Sequence, residues 1–256
     1  MARKSDDGRE PAVSGAVGSD SARETREAAA ADEAPALAIG PDGAPRCWWS
    51  VGTPEYVAYH DEEWGRPVVD DHLLFEHLCL EVFQAGLSWL TVLRRREALR
   101  RAFAGFDAAT MAEFDDRDVA RLLDDATIIR NRAKIEAVIA NARCCLEVAA
   151  GHGSLAGLMW SYAPAAAGAG RRARTDIPAT SPESAAMSAD LKRRGFRFVG
   201  PTTLYAHMQA CGMVNDHVEG CRCRSEAASA RERQAPAIEA LVQASLRSGQ
   251  HDREGD

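Results

Sequence analysis

Apolar side chains return at helical spacing through the centre of this chain, and that period restricts the fold more than any other feature. Leu74, Leu78, Val82, Phe83, Leu87 and Leu90 recur between Leu73 and Leu93; Ile135, Val138, Ile139 and Leu146 form a second stripe between Asn131 and about Val148. Residues three and four apart share one helix face, so both segments are expected as helices packed on a common core. Gly86 interrupts the first stripe and predicts a break. Asp107 is expected to cap a short helix containing Met111 and Phe114, with Thr110 and Glu113 at capping-box spacing, and Asp115 or Asp116 to cap DVARLL. A turn at Asp125-Ala126-Thr127 leads into the second stripe. Ser181 before Pro182 is a helix start, Gly195 a stop, FRFVG an extended link and TTLYAHMQACG a last helix. Strand signals are few and short, so the expected fold class is all-α.

Residues 1–46 are rich in Ala, Gly and Ser, with six basic and nine acidic residues and no apolar period, and read as a disordered N-terminal tail. Residues 225–256 read as mostly disordered, with one marginal helix through Ile238, Leu241, Val242 and Leu246. The helical domain is therefore expected at 47–224, with a mobile loop at 163–180. The net charge is −7, but 47–224 holds 21 basic and 23 acidic residues, so the domain itself is nearly neutral. Such a balance excludes a polycationic nucleic-acid binder and leaves room only for a local basic patch. No signal-peptide pattern or membrane-length apolar run is present, and a cytoplasmic location is expected. In a reducing compartment the seven cysteines are free thiols or metal ligands rather than a disulfide framework.

Three constellations could carry chemistry. Cys47 and His60 lie near one end of the domain and His217 and Cys221 near the other. Two thiolates and two imidazoles fill a tetrahedral Zn²⁺ shell with no open position, which is the chemistry of a structural site. The alternative is four unrelated buried residues, and Cys223 competes with Cys221 as a ligand. Glu81 sits in an apolar stretch just before QAGLSW, where a carboxyl is costly unless paired or used; the bland reading is a solvent-facing helix position. Trp49, Tyr56, Tyr59, Trp64 and Trp89 could wall a site that stacks on a flat ligand, or simply pack. Four of the five tryptophans fall between Trp48 and Trp89. Arginines and lysines cluster at 94–96, 130–134 and 192–197. The middle cluster follows a turn and opens a helix, whose N-terminus favours an anion, although that turn lacks glycine.

Taken in order, RCWW, YVAYHDEEWG, LCLE-x-x-QAGLSW-x-TVL, DATIIRNRAKIEAVIANAR, KRRGFRFVG, TTLYAHMQACG and MVNDHVEGC resemble the DNA-3-methyladenine glycosylase I family from Cys47 to Cys221. The resemblance implies a bacterial, cytosolic base-excision enzyme with an all-helical variant of the helix-hairpin-helix glycosylase fold. It implies a structural Zn²⁺ on Cys47, His60, His217 and Cys221, held by the domain's two ends. It also implies Glu81 as the acidic residue reading a flipped base, Trp49, Tyr56 and Tyr59 around that base, and Trp89 stacked on it. The segment 125–134, with Thr127, Arg130, Arg132 and Lys134, corresponds to the hairpin that grips the DNA backbone. The chain departs from the pattern in three ways, of which the long tails are one. Thr127 stands where the hairpin has glycine, and Val82 and Phe83 follow Glu81 where many members have small or polar residues. Phe83 is therefore expected to reshape the pocket floor.

The implied activity is hydrolytic, monofunctional release of cationic 3-methyladenine from double-stranded DNA by a monomer. N3-alkylation already makes the base a good leaving group, so one carboxylate and a stacking surface suffice. Rotating the damaged base out of the stack costs a few kcal/mol, and a cation–π contact on Trp89 contributes roughly 0.5–2 kcal/mol. Two other readings remain at this point: a zinc-stapled module that binds DNA or a nucleobase without cleavage, and a glycosylase for a different damaged base.

Overall fold

The computed structural model describes residues 35–165 and 170–254. The disorder expected of residues 1–34 lies outside the described residues. The rest of that expected tail, 35–46, is ordered: β1 (Leu37–Ile39) and β2 (Pro45–Cys47) form an antiparallel hairpin in which Leu37 pairs with Cys47. The all-α expectation is corrected to that extent. Arg46 explains why the segment is held. Its guanidinium is 2% exposed and bonds Asp42 at 2.6 Å and Asp61 at 2.7 Å, tying the hairpin to the helix that follows.

A 3-10 turn at Trp48–Val51 leads into α1 (Pro54–Glu62), which Thr53 caps and Pro54 opens. α2 (Asp71–Gln84) starts where the Asp70 carboxylate accepts from Leu73 N at 2.9 Å. It ends before Gly86, whose φ of 77° fits the expected break. Ser88 caps α3 (Trp89–Leu93), and α4 (Arg96–Ala102) follows. Asp107 caps α5 (Ala108–Ala112), so Thr110 lies inside that helix and the Thr110–Glu113 capping box does not form. Asp115 and Asp118 form the box that opens α6 (Asp116–Asp124).

The long second stripe is α7 (Arg132–His152), capped by Asn131. Ile135, Val138 and Ile139 are buried, whereas Leu146 is 41% exposed and Cys145 takes the inward position near it. α8 (Leu155–Trp160), α9 (Pro182–Arg193) and α10 (Pro201–Ala210) complete the core; α9 opens at Ser181 and Pro182 as expected. The described part of 163–180 is held rather than loose. Arg171 pairs with Val218, and its carbonyl accepts from Glu219 N at 2.7 Å.

Past Arg224 the structure has a helix, α11 (Arg224–Glu254), where a mostly disordered tail was expected. It packs on α7 and α8. The reason is a close approach rather than a broad apolar stripe. A Cβ at Gly157 would stand 2.6 Å from the Leu241 carbonyl, so glycine lets the helices meet and Ser245 is buried there. Ile238, Leu241 and Val242 then pack on the core. α2 lies centrally against α7, α8 and α10, which puts Glu81 inside the molecule.

Candidate active site and metal centre

Glu81 is 5% exposed, on the last full turn of α2. It lines a cavity of about 410 Å³ with Trp48, Trp49, Tyr56, Tyr59, Trp64, Gln84, Leu87, Ser88, Trp89, Ile177, Ala206 and Gln209. The five rings singled out in the sequence therefore meet the carboxyl at one place. Trp49 is the hub: its ring centroid lies 5.9 Å from Tyr56, 6.4 Å from Tyr59 and 5.0 Å from Trp64. Trp89 closes the opposite side, 5.2 Å from Tyr59 at 52°. The Tyr56 hydroxyl accepts from Leu90 N at 3.1 Å, which fixes α3 and so Trp89 relative to α1.

The Glu81 carboxyl has no hydrogen-bond or ion-pair partner among the described residues. Burial alone pushes its pKa up to about 8, which holds it largely neutral at pH 7. The Tyr59 hydroxyl is raised well above its ordinary value, first by burial and then by Glu81. Trp89 Nε1 is buried without a partner among the described residues. A cavity with aromatic walls, a carboxyl and an indole N–H that are unpaired among the described residues suits a flat, positively charged guest.

The pocket-floor role expected of Phe83 is corrected. Residues two apart on a helix point about 200° away from each other, so Phe83 faces the core. It is fully buried against Phe103 at 5.5 Å and does not line the cavity. Gln84, one turn beyond Glu81, lines it instead. Gln209 and Ile177 arrive from distant segments; Gln209 lies within the TTLYAHMQACG motif, which gave it no role of its own, and no local pattern marks Ile177.

Cys47, His60, His217 and Cys221 meet as a second, fully buried cluster, their ligating atoms all within 4.8 Å of one another. Cys221 Sγ lies 3.4 Å from His60 Nε2 and 3.5 Å from His217 Nδ1, and Cys47 Sγ lies 3.8 Å from His217 Nδ1. A tetrahedral ion with bonds of about 2.3 Å to sulfur and 2.0–2.1 Å to nitrogen separates its S and N ligands by about 3.5 Å, so the donor set fits. The second ring nitrogens are engaged as well. His60 Nδ1 faces Asp61 at 2.8 Å and His217 Nε2 faces the Trp64 carbonyl at 3.2 Å, orienting the other nitrogens inward. Burial works against the Asp61 charge, but Arg46 holds its pKa down to about 2. Cys223 stands outside the four, 3.4 Å from Asp61 and 3.8 Å from His60 Nδ1. The neighbouring thiols share their protons: hydrogen bonds from Cys223 and Cys47 hold the Cys221 thiol far below its ordinary value, while the bond to Cys221 and burial push the Cys47 and Cys223 thiols up.

At the turn between α6 and α7, Thr127, Arg130 and Arg132 are exposed. The Asp125 carboxylate accepts from Thr127 N at 2.8 Å and from its hydroxyl at 2.6 Å, which shapes the turn without glycine. Arg132 reaches Glu136 at 3.2 Å. Lys134 departs from expectation. Its ammonium is 6% exposed and donates to the Phe83 and Ala85 carbonyls at 2.8 and 2.6 Å. The lysine satisfies the open carbonyls at the C-terminus of α2 and is not presented to a phosphate.

A family model described as methyladenine glycosylase matches residues 48–225. DNA-3-methyladenine glycosylase 1 of Escherichia coli K12 is 48% identical over 181 residues, covering 70% of this chain and 96% of the relative. DNA-3-methyladenine glycosylase of Haemophilus influenzae is 40% identical, covering 70% and 98%. Among solved structures, a crystal structure of 3-methyladenine DNA glycosylase I superposes with a TM-score of 0.68 at 47% identity, covering 70% of this chain and 99% of that one. A Staphylococcus aureus 3-methyladenine DNA glycosylase I, solved to explain 3-methyladenine recognition, superposes with a TM-score of 0.67 at 33% identity, covering 70% and 96%.

Proposed function

The chain belongs to the methyladenine glycosylase family, and on that premise we propose how its own residues act. It is a DNA-3-methyladenine glycosylase that removes 3-methyladenine from DNA in base excision. The observation that carries the mechanism is the unpaired Glu81 carboxyl buried among the rings of one cavity.

The alkylated base, rotated out of the duplex, enters between Trp49, Tyr56, Tyr59 and Trp89, and its cationic ring stacks on Trp89. Its positive charge favours the ionised form of Glu81, so the carboxyl gives up its proton to solvent and faces the base edge as a carboxylate. A neutral adenine supplies no such charge and leaves Glu81 protonated, which builds selection for the lesion into the electrostatics. The N-glycosidic bond then breaks with its electron pair on the base, which departs neutral. Water adds to the sugar carbon and releases a proton. Among the described residues no lysine lines the cavity, and Lys134 is occupied by carbonyls; the reaction is accordingly hydrolytic and the enzyme monofunctional.

The 125–132 turn serves as the hairpin of a helix-hairpin-helix element. Thr127, Arg130, Arg132 and the N-terminus of α7 hold one phosphate of double-stranded DNA. Cys47, His60, His217 and Cys221 hold a structural Zn²⁺, which supplies a cross-link between the domain's ends and, with four protein ligands, no reactive position. The enzyme works as a cytoplasmic monomer. Incubating methylated duplex DNA with the protein tests the reading. Free 3-methyladenine should appear while the strands stay intact, whereas strand scission without added base would overturn the monofunctional assignment.

A further inference from the structure

We propose that Gln209 is a specificity-determining residue that selects the exocyclic amine of the everted base, and that Asp216 is the positioning residue that fixes its polarity. This rests on the cavity being the base site. Asp216 is 2% exposed. Its carboxylate receives Arg171 Nε at 2.8 Å, the Tyr205 hydroxyl at 2.7 Å and Gln209 Nε2 at 2.8 Å. A carboxylate can only accept, so the Gln209 amide must turn its nitrogen toward Asp216. Its Oε1 has no partner among the described residues, and it is the polar end offered to the cavity that Gln209 lines.

The polar groups around the cavity differ in what they can do. With the cationic base bound the Glu81 carboxylate only accepts, and the Ser88 hydroxyl can do either. The Gln84 amide makes no hydrogen bond among the described residues, so its two ends can exchange. Gln209 Oε1 is locked as an acceptor. Facing C6 of a purine, it accepts from an amine, whereas a 6-oxo group sets oxygen against oxygen and leaves both unpaired. The device distinguishes 3-methyladenine from 3-methylguanine. Both are alkylated at N3 and positively charged, so stacking on Trp89 and attraction to Glu81 treat them alike.

The test measures both bases released from the same methylated duplex by wild type, Gln209→Leu, Gln209→Met and Asp216→Asn, with melting temperature and zinc content as checks on the fold. In the Gln209 variants the 3-methyladenine to 3-methylguanine ratio of kcat/KM should fall at least about ten-fold. In Asp216→Asn the new amide can donate, Gln209 can turn its nitrogen outward, and the ratio should move further toward 3-methylguanine. Quenching of tryptophan fluorescence by the free bases should follow the same order. A ratio within about two-fold of wild type in the folded Gln209 variants overturns the proposal, even if Asp216→Asn fails to fold. Wild type that releases neither base would instead overturn the glycosylase reading, so the two failures are distinguishable.

Discussion

Glu81→Gln should make the protein more stable and less active at once. In the fold the Glu81 pKa rises from 4.5 to about 8 because burial disfavours its charge. Folding therefore takes up a proton at neutral pH. Below pH 4.5 the side chain is neutral in both states and the penalty is absent. As pH rises the unfolded chain ionises while the folded one resists, and the loss of stability levels off above about 8. At 1.36 kcal/mol per pH unit, Glu81 costs the wild type on the order of 1 kcal/mol at pH 5 and about 3 kcal/mol at pH 7. Glutamine has the same shape and no charge to bury, so it is free of that cost. Urea denaturation at pH 5 and pH 7, extrapolated to water, measures it: the variant's advantage should grow by about 2 kcal/mol between the two. An advantage that is zero, or equal at both values, would mean that Glu81 is not held in a desolvated site.

Further expectations concern the metal, the hairpin and the last helix. Zinc should co-purify at about one ion per chain; Cys221→Ser should lose it and lower the melting temperature, while a fully stable, zinc-free wild type would reject the cross-link. Arg130→Ala should weaken binding to any duplex and reduce the slope of log K against log salt by about 0.9. Lys134→Met should leave that slope unchanged and cost about 1–3 kcal/mol of stability, because it strands two carbonyls at the end of α2; a reduced slope would return Lys134 to the DNA surface. Gly157→Ala should destabilise by about 1–3 kcal/mol by forcing α8 from the Leu241 carbonyl 2.6 Å away, and thermal unfolding matching wild type would show that α11 does not dock there.

The helices were legible because their signals are local. Asp107, Asp115 and Ser181, named as helix starts from the sequence, each accept from a backbone N–H three residues on, and the apolar period sets which face turns inward; Asp70, Ser88 and Asn131 cap in the same way without having been singled out. Glu81, the five rings and the Cys/His quartet were visible as residue types, and the fold brings each set together. What the sequence hid is decided by partners far along the chain. Lys134 reads as a surface cation until the end of α2 arrives beside it. Gln209 belongs to a quoted motif but has no role of its own until Asp216 orients it. The Arg224–Glu254 segment looks too polar to fold until Gly157 lets it approach, and the hairpin at 37–47 is anchored by Arg46 to Asp61. Phe83, next but one to Glu81, was placeable from the helical period: with Glu81 in the cavity, a residue two positions on faces the core.

The central claim is that a buried, unpaired carboxyl among aromatic rings removes a positively charged base. Single-turnover release of 3-methyladenine from methylated duplex DNA by wild type and Glu81→Gln addresses it without interference from product release. With fold and zinc content intact, the variant should be slower by roughly 10²-fold or more. Equal rates, to within about three-fold, would contradict the account.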